Sequence, residues 1–210
     1  MPSLSPDGLQ VVFSDPREGI MRMKVDGSNR ETIERNGWGT QWSPDGRYIA
    51  WGSGTRIILL DTETNQRLDL LTSEQSAMLG SVYWNLGWSQ DSKWIAFKGR
   101  RPKANEGMVI VANVESSDGF KVLYESPNRV NEDFTWAPDN KHVVFIMRPP
   151  THNKLRLVKV SREHPAAPEV LPGPPAGWDL LDCDWSPDGM HIVFAALAQP
   201  EQEDWPTNAR

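Results

Sequence analysis

One four-residue motif occurs five times in this chain and constrains the fold more than any other feature. Ser5-Pro6-Asp7-Gly8, Ser43-Pro44-Asp45-Gly46, Ser89-Gln90-Asp91-Ser92, Ala137-Pro138-Asp139-Asn140 and Ser186-Pro187-Asp188-Gly189 begin 38, 46, 48 and 49 residues apart. The flanks keep the same phase. Trp42, Trp88, Trp136 and Trp185 precede four copies, and Leu4 takes that place in the first. Eight residues after each motif's first position stand Phe13, Trp51, Phe97, Phe145 and Phe194, and two residues earlier Val11, Ile49, Ile95, Val143 and Ile192. Alternate residues of a strand share one face, so each copy carries an apolar stripe of a β-branched and an aromatic side chain. The motif's chemistry is that of a tight turn. Proline presets φ at the second position, aspartate accepts from nearby backbone N–H groups, and glycine takes positive φ. Asn140 tolerates the glycine slot, while Ser92 is the least comfortable residue there.

Each hairpin is followed by a third strand, expected at Met21–Val25, Arg56–Leu60, Met108–Val114 and Leu155–Val160. A weaker outer strand follows near Arg30–Ile33, Arg67–Leu71, Lys121–Tyr124 and Glu169–Leu171. Four strands per period, no helical pattern and a turn every few residues describe blades of a β-propeller. The repeats run near 3–42, 43–88, 89–136 and 137–185, with a partial fifth over 186–197 and a polar tail at 198–210. The first blade has only Met1–Leu4 for its innermost strand, and the last motif supplies only Leu180–Trp185 and His191–Ala196. The expected fold is therefore all-β, with four nearly complete antiparallel blades and a partial fifth. Three readings of that count stand open: a fragment of a five- to six-bladed ring, a compact ring with an incomplete last blade, or two chains completing each other through open sheet edges.

The string Trp42-Ser43-Pro44-Asp45-Gly46 followed by Ile49-Ala50-Trp51, with Ile95-Ala96-Phe97 in the next copy, resembles the TolB-type repeat, also called the WD40-like or PD40 repeat. The resemblance covers residues 3–197. It implies a propeller, most often six-bladed, that binds a protein or peptide partner without catalysis. The same repeats occur in propeller domains of prolyl-oligopeptidase-type serine peptidases and in some polysaccharide lyases. The alternative is therefore the propeller portion of an enzyme, either a gating domain or a lyase-like propeller.

Composition narrows the partners. A net charge of −6 without a basic run offers no footprint for nucleic acid. Cys183 is the single cysteine, which rules out a disulfide within the chain. The N-terminal MPSLSPDGLQVVF has no signal-peptide pattern, and no stretch approaches the roughly 18 apolar residues of a membrane span. The expectation is no membrane insertion. The compartment would be the periplasm for a piece of a TolB-like exported protein, and the cytoplasm otherwise.

Ten tryptophans are many for 210 residues. The identical register of the four that precede motifs marks packing between blades rather than a binding ring. One carboxylate per turn falls far short of a calcium site. His142 and His191 are one blade apart, and His152 and His164 have no spaced partner, so neither a metal nor a cofactor is expected. No G-x-S-x-G elbow or α/β alternation supports a nucleophile, and Gly52-Ser53-Gly54 runs into a hairpin. No catalytic residue is assigned. The register that varies lies where inner strands enter the channel mouth: Trp38, Trp84, Glu132 and Leu181 stand five residues before their motifs, and Gly39, Asn85, Asp133 and Asp182 four before. Trp178, Asp179 and Asp184 add aromatic and acidic character nearby. Tryptophan beside carboxylates can hold a cationic peptide segment, and a solvated rim is the competing reading. The binding candidates are Trp38, Trp84, Glu132, Asp133, Trp178, Asp179, Asp182 and Asp184.

Overall fold

The computed structural model describes residues 2–103, 106–126, 130–147, 155–166, 168–173 and 178–198. The first motif joins β1 (Ser3–Leu4) to β2 (Gln10–Asp15), and β3 (Gly19–Lys24) and β4 (Glu31–Glu34) complete an antiparallel sheet in chain order. The same order recurs in β5 (Trp38–Trp42), β6 (Tyr48–Ser53), β7 (Arg56–Asp61) and β8 (Arg67–Asp69). A third sheet holds β9 (Ser81–Trp88), β10 (Trp94–Arg100), β11 (Gly107–Asn113) and β12 (Lys121–Ser126). The fourth holds β13 (Val130–Trp136), β14 (His142–Met147), β15 (Arg156–Ser161) and β16 (Glu169–Val170). A two-stranded sheet, β17 (Trp178–Trp185) and β18 (Ile192–Ala198), follows. First strands stand beside one another in chain order, β1 against β5, then β9, β13 and β17. Two features differ from the sequence reading. Ser3 and Leu4 do form an innermost strand, pairing with Val12 and Val11. A short helix, α1 (Ser73–Ala77), follows β8, closed by a capping box in which Gln75 N–H donates to Thr72 Oγ1 and Thr72 N–H to Gln75 Oε1.

The motif turns by a relay. Ser5, Ser43, Ser89 and Ser186 each donate Oγ–H to the motif aspartate, at 2.6, 2.6, 2.5 and 2.6 Å. The same hydroxyl accepts an N–H at the start of the return strand, from Gln10, Tyr48 and Trp94, which open theirs, and from His191, just before β18, at 2.9, 2.9, 3.0 and 2.9 Å. The aspartate accepts one residue earlier, from Leu9, Arg47, Lys93, Lys141 and Met190. Where Ala137 replaces the serine, Asp139 takes both jobs. It accepts the His142 N–H directly at 3.0 Å, and its second oxygen lies 2.6 Å from His142 Nδ1.

The fourth motif residue is left-handed in every copy: Gly8, Gly46, Ser92, Asn140 and Gly189 have φ of 71°, 78°, 59°, 56° and 74°. Ser92 and Asn140 occupy a strained position and use it. Ser92 Oγ accepts the N–H of Asp45 in the preceding blade at 3.0 Å, and Asn140 Oδ1 accepts that of Asp91 at 3.2 Å. At the other two junctions Gly46 and Gly189 lie over Pro6 and Pro138, whose rings would meet an added Cβ at 3.5 and 3.6 Å. The turns thus stack from blade to blade.

The apolar stripes fill the space between sheets. Val12 and Ile20 of the first blade pack on Trp42, Ile49, Trp51, Ile58 and Leu60 of the second. Ala50, Ile57 and Leu59 meet Trp88, Ile95, Phe97, Met108 and Ile110 of the third. Ala96, Val109 and Val111 meet Trp136, Val143, Phe145, Val158 and Val160 of the fourth. Each second strand therefore sends its β-branched and aromatic pair backward and the residue between them forward, as a period of two requires. Val144, Ile146 and Leu157 begin the same interface with Leu180 and Cys183 of the half-blade.

Two stability outcomes follow from the turns. Ser92→Ala keeps the strained φ and deletes the bond to Asp45, so it is expected to cost about 1 kcal/mol in urea unfolding. Ser92→Gly deletes bond and strain together and is expected to fall near wild type; equal losses for the two would show that the slot is unstrained. The second outcome is pH dependence. Asp7 and Asp188 are held below their ordinary 3.8 by their serine hydroxyls and then by backbone N–H groups. Burial pushes Asp139 up, but the Lys141 N–H and His142 bring it below its ordinary value. Lowered folded values mean that the unfolded chain binds more protons, so this stability is present above the ordinary value and lost as pH falls through the lowered ones. Urea midpoints measured against pH are expected to hold above about 5 and drop below about 4. Asp7→Asn with Asp188→Asn is expected to flatten the drop.

Candidate functional site

The channel-mouth residues divide by what the fold asks of them. Trp38 opens β5 opposite Gly52, and it is half-buried. Its Nε1–H donates to Val82 O of β9 at 3.2 Å, so the indole clamps the second blade to the third. A Cβ on Gly52 would come within 3.0 Å of that nitrogen, which is why a glycine faces it. Trp84 lies in β9, Glu132 and Asp133 in β13 and Asp179 in β17, all on first strands. The side chains of these four lie outside the described residues.

The half-blade's inner strand gathers the remaining candidates. Trp178 begins β17 opposite Ala198 and is 42% exposed. The pairing slips at Leu181, between Leu180–Ala196 and Asp182–Ala195, as a β-bulge does. Leu180 and Cys183, on either side of the slip, are both buried against the fourth blade. Asp182 and Asp184 therefore alternate onto the opposite face, and both are exposed. Asp184 reaches back over the strand's free edge. Its Oδ1 accepts the Trp185 N–H at 2.8 Å and the Thr135 hydroxyl of the fourth blade at 2.9 Å. The structure thus places Trp178, Asp182 and Asp184 on one strand, and Trp38 three blades earlier along the row of first strands.

A register that sequence reasoning passed over is the residue before each tryptophan. Ser3 Oγ accepts the Trp42 N–H at 3.0 Å across the first junction, as Thr135 donates to Asp184 across the last. Gly87 accepts from Trp136 Nε1–H at 2.9 Å, and a Cβ there would strike the Phe134 ring at 2.7 Å. Ser3, Gly87, Thr135 and Asp184 bridge in this way, and the signal for it was a small or polar residue at that position in every copy: Ser3, Gln41, Gly87, Thr135 and Asp184.

Two concavities lie apart from Trp178, Asp182 and Asp184. One of about 390 Å³ separates the first two turns, with Asp7, Gln10, Arg22, Trp42 and Asp45 on its walls. It follows from one register. Tyr48 stacks on Trp88 at 6.4 Å between the second and third blades, with Arg47 over its ring, but the first blade carries Gln10 there. The other, about 430 Å³, opens between the fourth blade and β18. Among the described residues no group of three His, Cys, Asp or Glu side chains has metal-site geometry, and no helix is long and apolar enough to cross a membrane.

Radial four-stranded antiparallel sheets whose first strands stand side by side define a β-propeller, and its fold is TolB-like. No family model and no curated protein matches the sequence. Solved structures match the fold. TolB from Acinetobacter baumannii aligns with a TM-score of 0.63 and 20% identity, over 80% of this chain and 42% of that one. An oligogalacturonate lyase in complex with manganese aligns at 0.74 and 13%, over 93% of this chain and 58% of the lyase. A prolyl endopeptidase aligns at 0.66 and 14%, over 94% and 32%. At such identities the likeness is one of architecture, and the chain spans 58% of the lyase's length.

Stability separates the clamp from the rim. Trp38→Ala removes a packed indole and its bond to Val82 and is expected to cost about 2 kcal/mol in urea unfolding. Trp178→Ala is expected to stay within about 0.5 kcal/mol of wild type. The reverse order would show that Trp178 is structural and Trp38 is the freer ring.

Proposed function

We propose that this chain is a propeller scaffold that holds a cationic peptide segment of a protein partner at the β17 rim, without catalysis. The observation that carries this reading is that one first strand bears an exposed indole at Trp178, on the face of Leu180, and exposed carboxylates at Asp182 and Asp184 on the other face, so that a segment running along the strand would meet both. A cation over an indole face gains electrostatic attraction, and carboxylates farther along the strand add charge complementarity that salt weakens. Trp84, Glu132, Asp133 and Asp179 belong to the same proposed mouth by their strand positions. The likeness to TolB supports a binding role. A second reading, the propeller portion of an enzyme, draws on the likeness to a lyase and a prolyl endopeptidase.

Titration calorimetry with short Lys/Arg-rich and Asp/Glu-rich peptides tests the two readings together. The expected result is a Kd of order 10–100 μM for the basic peptides only, weakening as salt rises and at least fivefold weaker in Trp178→Ala and in Asp182→Asn. Equal affinity for acidic peptides would overturn the rim assignment. Turnover of an oligogalacturonate or a prolyl peptide without basic-peptide binding would put the enzyme reading in its place.

A further inference from the structure

The first junction lacks a ring that the next two carry. Five residues after a motif's first position, the side chain turns forward onto the blade that follows. Tyr48 there stacks on Trp88, with ring centroids 6.4 Å apart and planes 11° off parallel, and Trp94 packs against the cluster that holds Trp136. A guanidinium lies over each of these rings, Arg47 at 5.1 Å from Tyr48 and Arg162 at 4.3 Å from Trp94. The first blade carries Gln10 in this register, beside Trp42, and the space left over is the 390 Å³ pocket.

The pocket is internal to the chain. It opens between two four-stranded blades that already pack on each other through Val12, Ile20, Trp42 and Ile49, so it is not a place that a further blade would fill. The two turns, at Pro6-Asp7 and Asp45-Gly46, form its walls together with Arg22 of β3. Bonding within the turns leaves acceptors over. Asp7 Oδ1 accepts from the Ser5 hydroxyl and the Leu9 N–H, and Asp45 Oδ1 from the Ser43 hydroxyl and the Arg47 N–H. Among the described residues neither Oδ2 has a hydrogen bond, and neither does the Gln10 side chain. Arg22 is spent on Glu31 through Nε and Nη2 at 2.8 and 2.6 Å, and the Thr62 hydroxyl donates to Gly46 O and Arg47 O. The unspent groups are therefore two carboxylate oxygens and one amide, beside an indole.

We propose that this pocket binds a small planar aromatic cation, an aryl amidine or a protonated amino-heteroaromatic ring. The ring takes the place that Tyr48 holds at the next junction, and the N–H donors at its edge serve Asp7 and Asp45. Two carboxylates, with Arg22 neutralised by Glu31, leave the pocket negative. That charge favours a cation and repels an anion, and a charge-assisted bond to a carboxylate is stronger than a neutral one. A calcium ion is not the occupant, since two free oxygens fall short of the roughly 6–8 it takes. The volume sits near the lower end of the roughly 300–1,000 Å³ of small-molecule sites, which suits one ring or two fused ones. Trp42 is 7% exposed, so the ligand reaches its indole as Gln10 turns aside, a move that breaks no side-chain hydrogen bond among the described residues. The site shares no residue with the β17 rim and does not rest on it.

The probe is benzamidine, titrated into the 210-residue chain and followed by NMR through the amide N–H shifts of Gln10 and Gly46 and the indole N–H of Trp42. Saturable shifts are expected there with a Kd of order 1 mM. Benzoate, which keeps the ring and reverses the charge, and acetamidine, which keeps the charge and lacks the ring, are each expected to bind about tenfold more weakly or not at all. Gln10→Tyr supplies the ring from within the chain. It is expected to abolish binding while its urea midpoint stays at or above that of wild type. Asp7→Asn keeps an Oδ1 for the turn and removes the charge, and is expected to weaken binding about fivefold. Trp178→Ala, on the β17 rim, is expected to leave it unchanged. Benzoate or acetamidine binding as tightly as benzamidine, or no saturation by about 10 mM, would overturn the proposal. So would undiminished binding by folded Gln10→Tyr, or, should that variant not fold, by Asp7→Asn. Loss of binding in Trp178→Ala would place the cation at the rim instead.

Discussion

Everything in this fold depends on the contact made when a second strand turns a branched and an aromatic side chain backward against the blade before it. Ile49 with Trp51, Ile95 with Phe97 and Val143 with Phe145 each pack in a cluster that draws residues from two sheets. No sheet here buries its apolar face alone. A two-sided strand in a four-stranded sheet needs cover on both sides, and stacking successive repeats supplies it. The relay of serine and aspartate, or Asp139 alone where Ala137 replaces the serine, sets the phase of that contact. It fixes the residue at which the return strand begins, and a slip of one position would exchange the packed face for the exposed one.

Much of this was legible in the residues because the repeat holds its phase. The third strands were found close to their observed ends and the second strands by their register, since aromatic and β-branched residues recur at fixed distances from the turn. Three things were not legible, each for a physical reason. The strand Ser3–Leu4 is two residues long and has no pattern of its own; it exists because β2 offers it an edge. The helix at Ser73–Ala77 is a single turn, too short for periodicity, though Thr72 and Gln75 at the spacing of a capping box marked its start. Ser92 looked like a poor substitute for glycine, and its value appears only when the next turn is in view, because the hydroxyl serves Asp45 in another blade.

The candidate site was legible in part. The varied register near the inner strands does lie on first strands, and Trp178, Asp182 and Asp184 do share β17. A bulge cannot be read from alternation that it interrupts, so the side to which each carboxylate turns emerged only from the pairing of Leu180 and Asp182 with their neighbours. Trp38, taken with the others as a rim residue, also clamps two blades through Val82. That dual role is the common fate of an indole at the edge of a core, where the ring packs and the N–H finds a partner.

The central claim is that one register is buried by its neighbours on either side and by nothing intrinsic to its own blade. Comparing Phe97→Ala, Phe145→Ala and Phe194→Ala by urea unfolding tests it most directly, because all three hold the same residue in the same place. The account predicts losses of about 3–5 kcal/mol for the first two and well under half of that for Phe194→Ala. Equal losses at all three positions would contradict it, since the half-blade would then be packed as fully as the blades that precede it.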